Sequence, residues 1–399
     1  MIGALWRTHR IAGRSRLVGR ARLRVVAAVV LLPAGLAGCS DHLPEPAEPP
    51  AAPVFRLEPD CPTPPPGRRS VSAAQLNQLG ESLDLRYWQA ADIGASARLH
   101  DGRLVWLFGD TVRKKGVVPG IVGNSMLVSS GRCVAQLVDD AHGPVVPDAD
   151  RDTVRWPMSV AVARHGDHDV IAVLCSRTRR GSGGTMDFTF LGTTAAVFRV
   201  EDGGVPQVEK VFDLTPDSTD PDQVNWGAAA VVHGGWIYVF GTRLTGQQGV
   251  FGRELYVART PVANPADRSG WEFRSAGGWQ KDHRRAVAVL PAAGGVSQTL
   301  SVDVLDGTYV AVSKRDGDLG DFVYTWTAPQ PWGPWTPRKA LSAPAGFDTG
   351  DLQYAPLAHP EVPLTSGKLL VTISRNTTDG KRLLEDPELG RPKFAEIAP

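Results

Sequence analysis

The chain has 399 residues, 42% of them hydrophobic and 21% charged, with 43 Gly, 32 Pro and 4 Cys. That length and composition exclude a disordered acidic tail, a collagen-like repeat and a disulfide-stapled miniprotein, and leave room for one large core or two small ones. The formal charge of +1 hides an asymmetry: residues 1–39 hold seven Arg and no acid, and the remainder carries 36 basic against 42 acidic residues, a net of −6, which argues against a nucleic-acid-binding surface.

Residues 1–38 read as a lipoprotein signal peptide. Seven Arg between Arg7 and Arg24 precede an apolar run, Val25 to Leu32, followed by Leu36-Ala37-Gly38-Cys39, a short small-residue stretch open to a peptidase. The stretch looks like a bacterial lipobox, which makes Cys39 the expected lipidated first residue and the extracytoplasmic face of the cell membrane the expected location. The apolar run is shorter than the roughly 20 residues needed to cross a bilayer as a helix. Residues 39–69 follow as a Pro-rich tether: ten prolines between Ser40 and Pro66 favour extended chain and bury little. In an exported protein two of the three remaining cysteines can pair. Cys61 with Cys133 is preferred, because Cys175 sits in the apolar run Val170 to Cys175.

Residues 70–399 form the expected folded domain. From Asp92 onward short Val, Ile, Trp, Tyr and Phe runs alternate with Gly, Asp and Pro turns, and no long stretch carries a 3.6-residue apolar period, so the domain is all-β. Five units repeat one plan of strand, turn and strand: Asp92 to Asp110, Trp156 to Arg177, Asn225 to Arg243, Ser297 to Lys314 and Tyr354 to Arg375. Their first-to-last offsets are 17 to 21 residues, and successive units start 57 to 72 residues apart. A hairpin of fixed length recurring at such an interval predicts radially repeated sheets, a five-bladed β-propeller; a sandwich has no reason to repeat it five times.

In a hairpin the residue entering the first strand and the residue leaving the second lie at the same end. All five pairs therefore converge on one mouth of a central channel. Asp92, Trp156, Asn225, Trp226, Gln298 and Tyr354 enter it, and Asp110, Arg177, Arg243, Lys314, Arg375 and Asn376 leave it. Such a mouth suits a sugar, with rings for the apolar sugar face, amides and guanidinium groups for hydroxyls, and Asp92 with Asp110 as a carboxyl pair that can cut a glycosidic bond. The two aspartates could equally pair with Arg177, Arg243 and Arg375 and simply close the ring of blades.

The segments DIGASARLHDGRLVWLFGDT, WGAAAVVHGGWIYVFGTR with ELYVART, the Gly333-Pro334-Trp335 turn, and YAPLAHPE with LLVTISRNT resemble the five-bladed propeller furanosidases and arabinanases. The likeness is greatest to an actinobacterial group that includes endo-D-arabinanases, and it spans roughly Tyr87 to Asn376. It implies a glycoside hydrolase acting on an arabinan-like cell-envelope polysaccharide. Asp92 matches the family's base or nucleophile at the entrance of the first inner strand, and Asp110 is the second carboxyl group. The family's third acid, a Glu from a middle blade, has no clear match; Glu254 is nearest in order. A non-catalytic propeller that binds glycan or a protein partner is the alternative. The chain is expected to work as a monomer without a cofactor.

Other motifs are weaker. Asp148, Asp150 and Asp152 alternate as in a calcium loop, but Thr153 and Ser159 replace the Gly and Glu of a hand-type site, leaving a solvated acidic turn or a looser calcium site. His165 to Asp169 reads as a hairpin turn rather than a zinc site, and neither a phosphate loop nor a Gly-x-Ser-x-Gly elbow occurs. Asn376-Thr377-Thr378 fits the glycosylation pattern but reads as a strand end. Trp332 and Trp335 are either blade packing or a sugar platform.

Overall fold

The computed structural model describes residues 53–64, 69–182, 187–318 and 320–398. The leader and Cys39 lie outside the described residues. Five antiparallel sheets follow one another along the chain, with innermost strands Ala90–Arg98, Thr153–His165, Asn225–His233, Ser301–Leu305 and Asp351–Ala358. Each innermost strand packs against the next, and the fifth returns to the first, so the sheets close into a five-bladed β-propeller. The five hairpins expected from the sequence are the five inner hairpins of blades I to V.

Small side chains make this convergence possible. Ala95, Ser96, Ser159, Ala229, Ser301 and Ala358 line the central channel, where larger residues would hold the inner strands apart. The other faces carry the core as five apolar clusters, of which the one between blades I and II also takes in Leu352, Tyr354 and Leu357 of blade V. Val105 and Leu107 meet Ile171 and Phe198 between blades I and II, and Leu174 and Ala195 meet Trp226 and Val239 between II and III. Phe240 and Leu255 meet Val302 and Trp326 between III and IV, Val312 and Val323 meet Val371 and Ile373 between IV and V, and Trp106 meets Leu364 and Leu370 between V and I. Each fully buried Leu or Phe contributes about 1.5–3 kcal/mol relative to an exposed one. Trp332 and Trp335 pack on the III–IV seam, Trp332 edge-on to Trp279 at 5.6 Å, so the platform reading is replaced by packing. The HGDHD stretch is the tip of the inner hairpin of blade II, with His165 opposite His168.

The ring is closed by the residues that precede it, and here the tether boundary at residue 69 is corrected. Arg56–Glu58 adds an outer strand to blade I, pairing Arg56 with Val138, and Phe55 is buried in the I–II seam. Cys61 is bonded to Cys133, as the sequence suggested, while Cys175 is a buried thiol that burial pushes up to about 12. Further on, Ser72 caps helix Ala73–Ser82 through a capping box with Gln75. The helix lies along the outer strand of three-stranded blade V: the Asn77 side chain donates to Phe394 O and accepts from Phe394 N, each at 2.9 Å, as a fourth strand would.

The Cys61–Cys133 bond closes a 72-residue separation, worth about 4 kcal/mol in the chain-entropy account. The Cys61→Ser/Cys133→Ser double variant is therefore expected to melt several degrees below the wild type in calorimetry; an unchanged melting temperature would contradict the clamp.

Candidate active site

The mouth is shaped by irregularities in the inner strands. In blades I, II, III and V the inner hairpin slips register at its mouth end, between Ala91 and Ala95, Pro157 and Ser159, Trp226 and Ala229, and Tyr354 and Leu357. Such bulges break the period-two alternation and re-aim the side chains beside them. The most demanding one follows Asp92 directly. Ile93 has a φ of 70°, which a β-branched residue rarely adopts, and it is held there by complete burial and by donation from its N–H to Ser374 Oγ of blade V at 2.9 Å.

Asp92 and Asp110 stand on the two strands of that hairpin and receive different neighbours. Asp92 Oδ2 accepts from the Tyr354 hydroxyl at 2.8 Å. Its Oδ1 lies over Gly109, where a Cβ would come within 2.2 Å of the oxygen, so the carboxyl group fits only because residue 109 has no side chain. Burial, reinforced by the nearby charge of Asp110, pushes the Asp92 carboxyl up to about 6, against the opposing bond from Tyr354. Asp110 instead accepts two bonds on Oδ1, from Trp156 Nε1 and from the Arg180 guanidinium, both at 2.9 Å, while its side chain stays 42% exposed. Arg180 also lies 5.9 Å over the Trp156 ring, and Phe188 meets that ring edge-on at 5.1 Å. Asp148, on the connection between blades I and II, is raised first by burial and further by Asp110, with Arg180 opposing.

Of the residues expected at the mouth, the structure joins Asp92, Asp110, Trp156, Tyr354 and Asn376. Asn376 Nδ2 donates to the Tyr354 oxygen at 3.3 Å. Trp156, 5% exposed, serves as a donor to Asp110 rather than as an open platform. Three expectations are corrected. Arg177 is 2% exposed and spends its guanidinium inside blade II on Asp213, Asp217 and the Thr193 and Thr215 carbonyls. Trp226 is equally buried and packs on Phe273 at 5.1 Å in the II–III seam. Arg243 is paired with Glu254 at 2.7 Å, on the third strand of blade III, where Tyr256 also donates to Glu254 at 2.6 Å. Glu254 is thus an ion-pair acceptor apart from the Asp92 contacts. Asn225 is buried at the start of its strand, and Arg375 alternates away from its neighbours Ser374 and Asn376, which face blade I and Tyr354.

The residues the sequence did not single out are Arg180, Ser374 and the approach of Asp148 to Asp110. Arg180 escapes the sequence reading because the repeating unit ends there at Arg177, three residues earlier on the same strand, and alternation puts the two on opposite faces. Asp150 and Asp152 form a turn in which Asp152 N donates to Asp150 at 2.8 Å. Elsewhere Asp167, His168 and Glu201 bring three potential ligand atoms within 4.8 Å, but Arg199 already bonds His168 at 3.1 Å and pairs with Glu201 at 2.7 Å.

Fold and site together define a five-bladed propeller with an unequal carboxyl pair at the mouth of its channel. Residues 75–399 match a family described as a domain of unknown function, DUF5005, and the chain belongs to that family. Among curated proteins it is similar to notoamide biosynthesis cluster protein J of Aspergillus sp. (strain MF297-2), 25% identical over 350 residues that cover 78% of this chain and 87% of that protein. Among solved structures it is similar to a Bacteroides ovatus ATCC 8483 protein described as a candidate hydrolase, with a TM-score of 0.64 and 16% identity over 86% of this chain and 93% of the other. A GH43_1 enzyme from Xanthomonas citri, crystallised with xylotriose, overlaps less well, with a TM-score of 0.43 and 17% identity over 82% of this chain and 93% of the other. The 0.64 match agrees with the propeller fold.

The raised Asp92 carboxyl has a thermodynamic consequence. Between about pH 4 and 6 the unfolded chain ionises Asp92 while the folded chain keeps it protonated, so the folded state carries a penalty that is complete above about pH 6. Asp92→Asn is expected to melt above the wild type at pH 8, with the difference vanishing below pH 4; equal melting temperatures at pH 8 would place Asp92 in a solvated setting.

Proposed function

We propose that this protein is a glycoside hydrolase that cleaves a furanoside polymer of the cell envelope, an arabinan-like glycan, at the mouth of the propeller. The observation that carries the reading is the unequal pair: Asp92 is raised to about 6 without a cation against it among the described residues, while Asp110 takes the Arg180 guanidinium and the Trp156 N–H on one oxygen. Glycoside hydrolysis needs one carboxyl group that holds a proton and one that does not. Asp92 transfers its proton to the glycosidic oxygen as the bond to the anomeric carbon breaks. Asp110 enters as the carboxylate on the other side of the sugar, either taking a proton from the attacking water or attacking the anomeric carbon itself. This assignment gives Asp92 the acid role, where the family resemblance suggested base or nucleophile.

Asp92→Asn and Asp110→Asn should each lower sugar release from arabinogalactan and lipoarabinomannan by several orders of magnitude, while binding of the glycan is retained. Wild-type activity should fall as pH rises through about 6, as Asp92 loses its proton. Full activity in both variants would overturn the reading. The Asp110 contacts also tie blade I to blade II, which favours a second reading, a glycan- or protein-binding propeller whose ion pair is structural. That reading expects glycan binding without any release of sugar.

The Arg-rich leader and the LAGC stretch support export and lipid attachment at Cys39 on the outer face of the membrane. Cys39→Ala should release the protein from the membrane fraction or block its processing; unchanged lipid labelling would refute the anchor.

A further inference from the structure

The polar contacts around Asp92 run in one direction, and their starting point is a group that can only donate. The backbone N–H of Thr377 donates to Asn376 Oδ1 at 2.8 Å, which fixes the amide with its Nδ2 toward Tyr354. Asn376 Nδ2 then donates to the phenol oxygen at 3.3 Å, and the phenol proton is directed onto Asp92 Oδ2 at 2.8 Å. Tyr354 is 3% exposed within the apolar cluster that joins blades V and I, so its ring cannot swing away to meet another acceptor. Burial and the Asp92 charge hold its hydroxyl well above the usual phenol range, and it stays a donor at every working pH.

We propose that Tyr354 is a positioning residue for Asp92: fixed by Asn376, its hydroxyl makes Asp92 Oδ2 a standing acceptor and leaves Oδ1, the oxygen over Gly109, as the one that carries and transfers the proton. The reassignment turns Tyr354 from a sugar-contacting residue into part of the acid's support, and it rests on the reading of Asp92 as a proton donor. Among the described residues, the titratable groups facing Asp92 are Asp110 on the neighbouring strand and Tyr354 from blade V, and Asp110 is in turn faced by Arg180 and Asp148.

The test uses the full chain with carboxyl-labelled aspartate, following the Asp92 carbon by nuclear magnetic resonance and assigning it by its loss in Asp92→Asn. Tyr354→Phe keeps the buried ring and removes only the hydroxyl. Because the lost bond favoured the ionised form, Asp92 should titrate higher in the variant, by roughly one pH unit. Asn376→Ala, which frees the hydroxyl to rotate, should shift it less and in the same direction. On the glycan, both variants should lower kcat more than they change KM and move the alkaline limb of the pH profile upward. An Asp92 midpoint unchanged in both variants would overturn the proposal even if the wild type cleaves arabinan. The shift without sugar release by the wild type would sustain the positioning role and defeat the hydrolase reading.

Discussion

A carboxyl group at the meeting of blades I and V, with no cation against it among the described residues, is the constraint on which the mouth of this propeller depends. Asp92 can be tolerated there only with a donor for one oxygen and room for the other. Tyr354 reaches across from blade V to supply the donor, and Gly109 leaves the room. The left-handed Ile93 and its bond to Ser374 lock the strand in the bulge that aims the carboxyl group. A mouth built only for stability would place an arginine against that carboxylate, as blade II does with Arg180 and Asp110. The contrast between two aspartates on one hairpin is what gives the site two chemically distinct groups.

The rest of the molecule holds this arrangement in register. Contacts from blade V to Asp92 exist only while the ring is closed, and closure is a property of chain ends distant in sequence. Residues 53–64 add an edge strand and a disulfide to blade I, while helix Ala73–Ser82 covers the open edge of blade V. Arg391, buried, fastens the C-terminal segment of blade V to the end of that helix and to the entry of blade I by donating to the carbonyls of Gly80, Glu81, Leu83 and Gln89. Positional order at Asp92 is thus linked to the stability of the V–I seam, where Trp106 and Leu370 pack.

The blade count and the inner hairpins were legible in the sequence because alternating apolar strands around Gly and Asp turns recur at near-constant length. Asp92, Asp110, Trp156, Tyr354 and Asn376 were legible because they end those strands. Arg177 and Trp226 failed because position at a strand end does not say which face a side chain takes, and both turn into blade packing. Arg180 lies three residues beyond Arg177, so alternation along the strand turns it to the opposite face, where it meets Asp110. The Pro-rich segment read as a tether because proline favours extended chain, yet an extended segment is also what an edge strand requires, and Phe55 supplies the side chain that docks it.

The central claim is that Asp92 Oδ1 and Asp110 address one sugar at the mouth. The most direct measurement is a crystal structure of the Asp110→Asn variant with an arabinofuranosyl oligosaccharide bound. The account predicts a glycosidic oxygen within hydrogen-bond distance of Asp92 Oδ1, with the Tyr354 hydroxyl still on Oδ2. An oligosaccharide seated away from the mouth, or one that displaces Tyr354 to reach Oδ2, would contradict it.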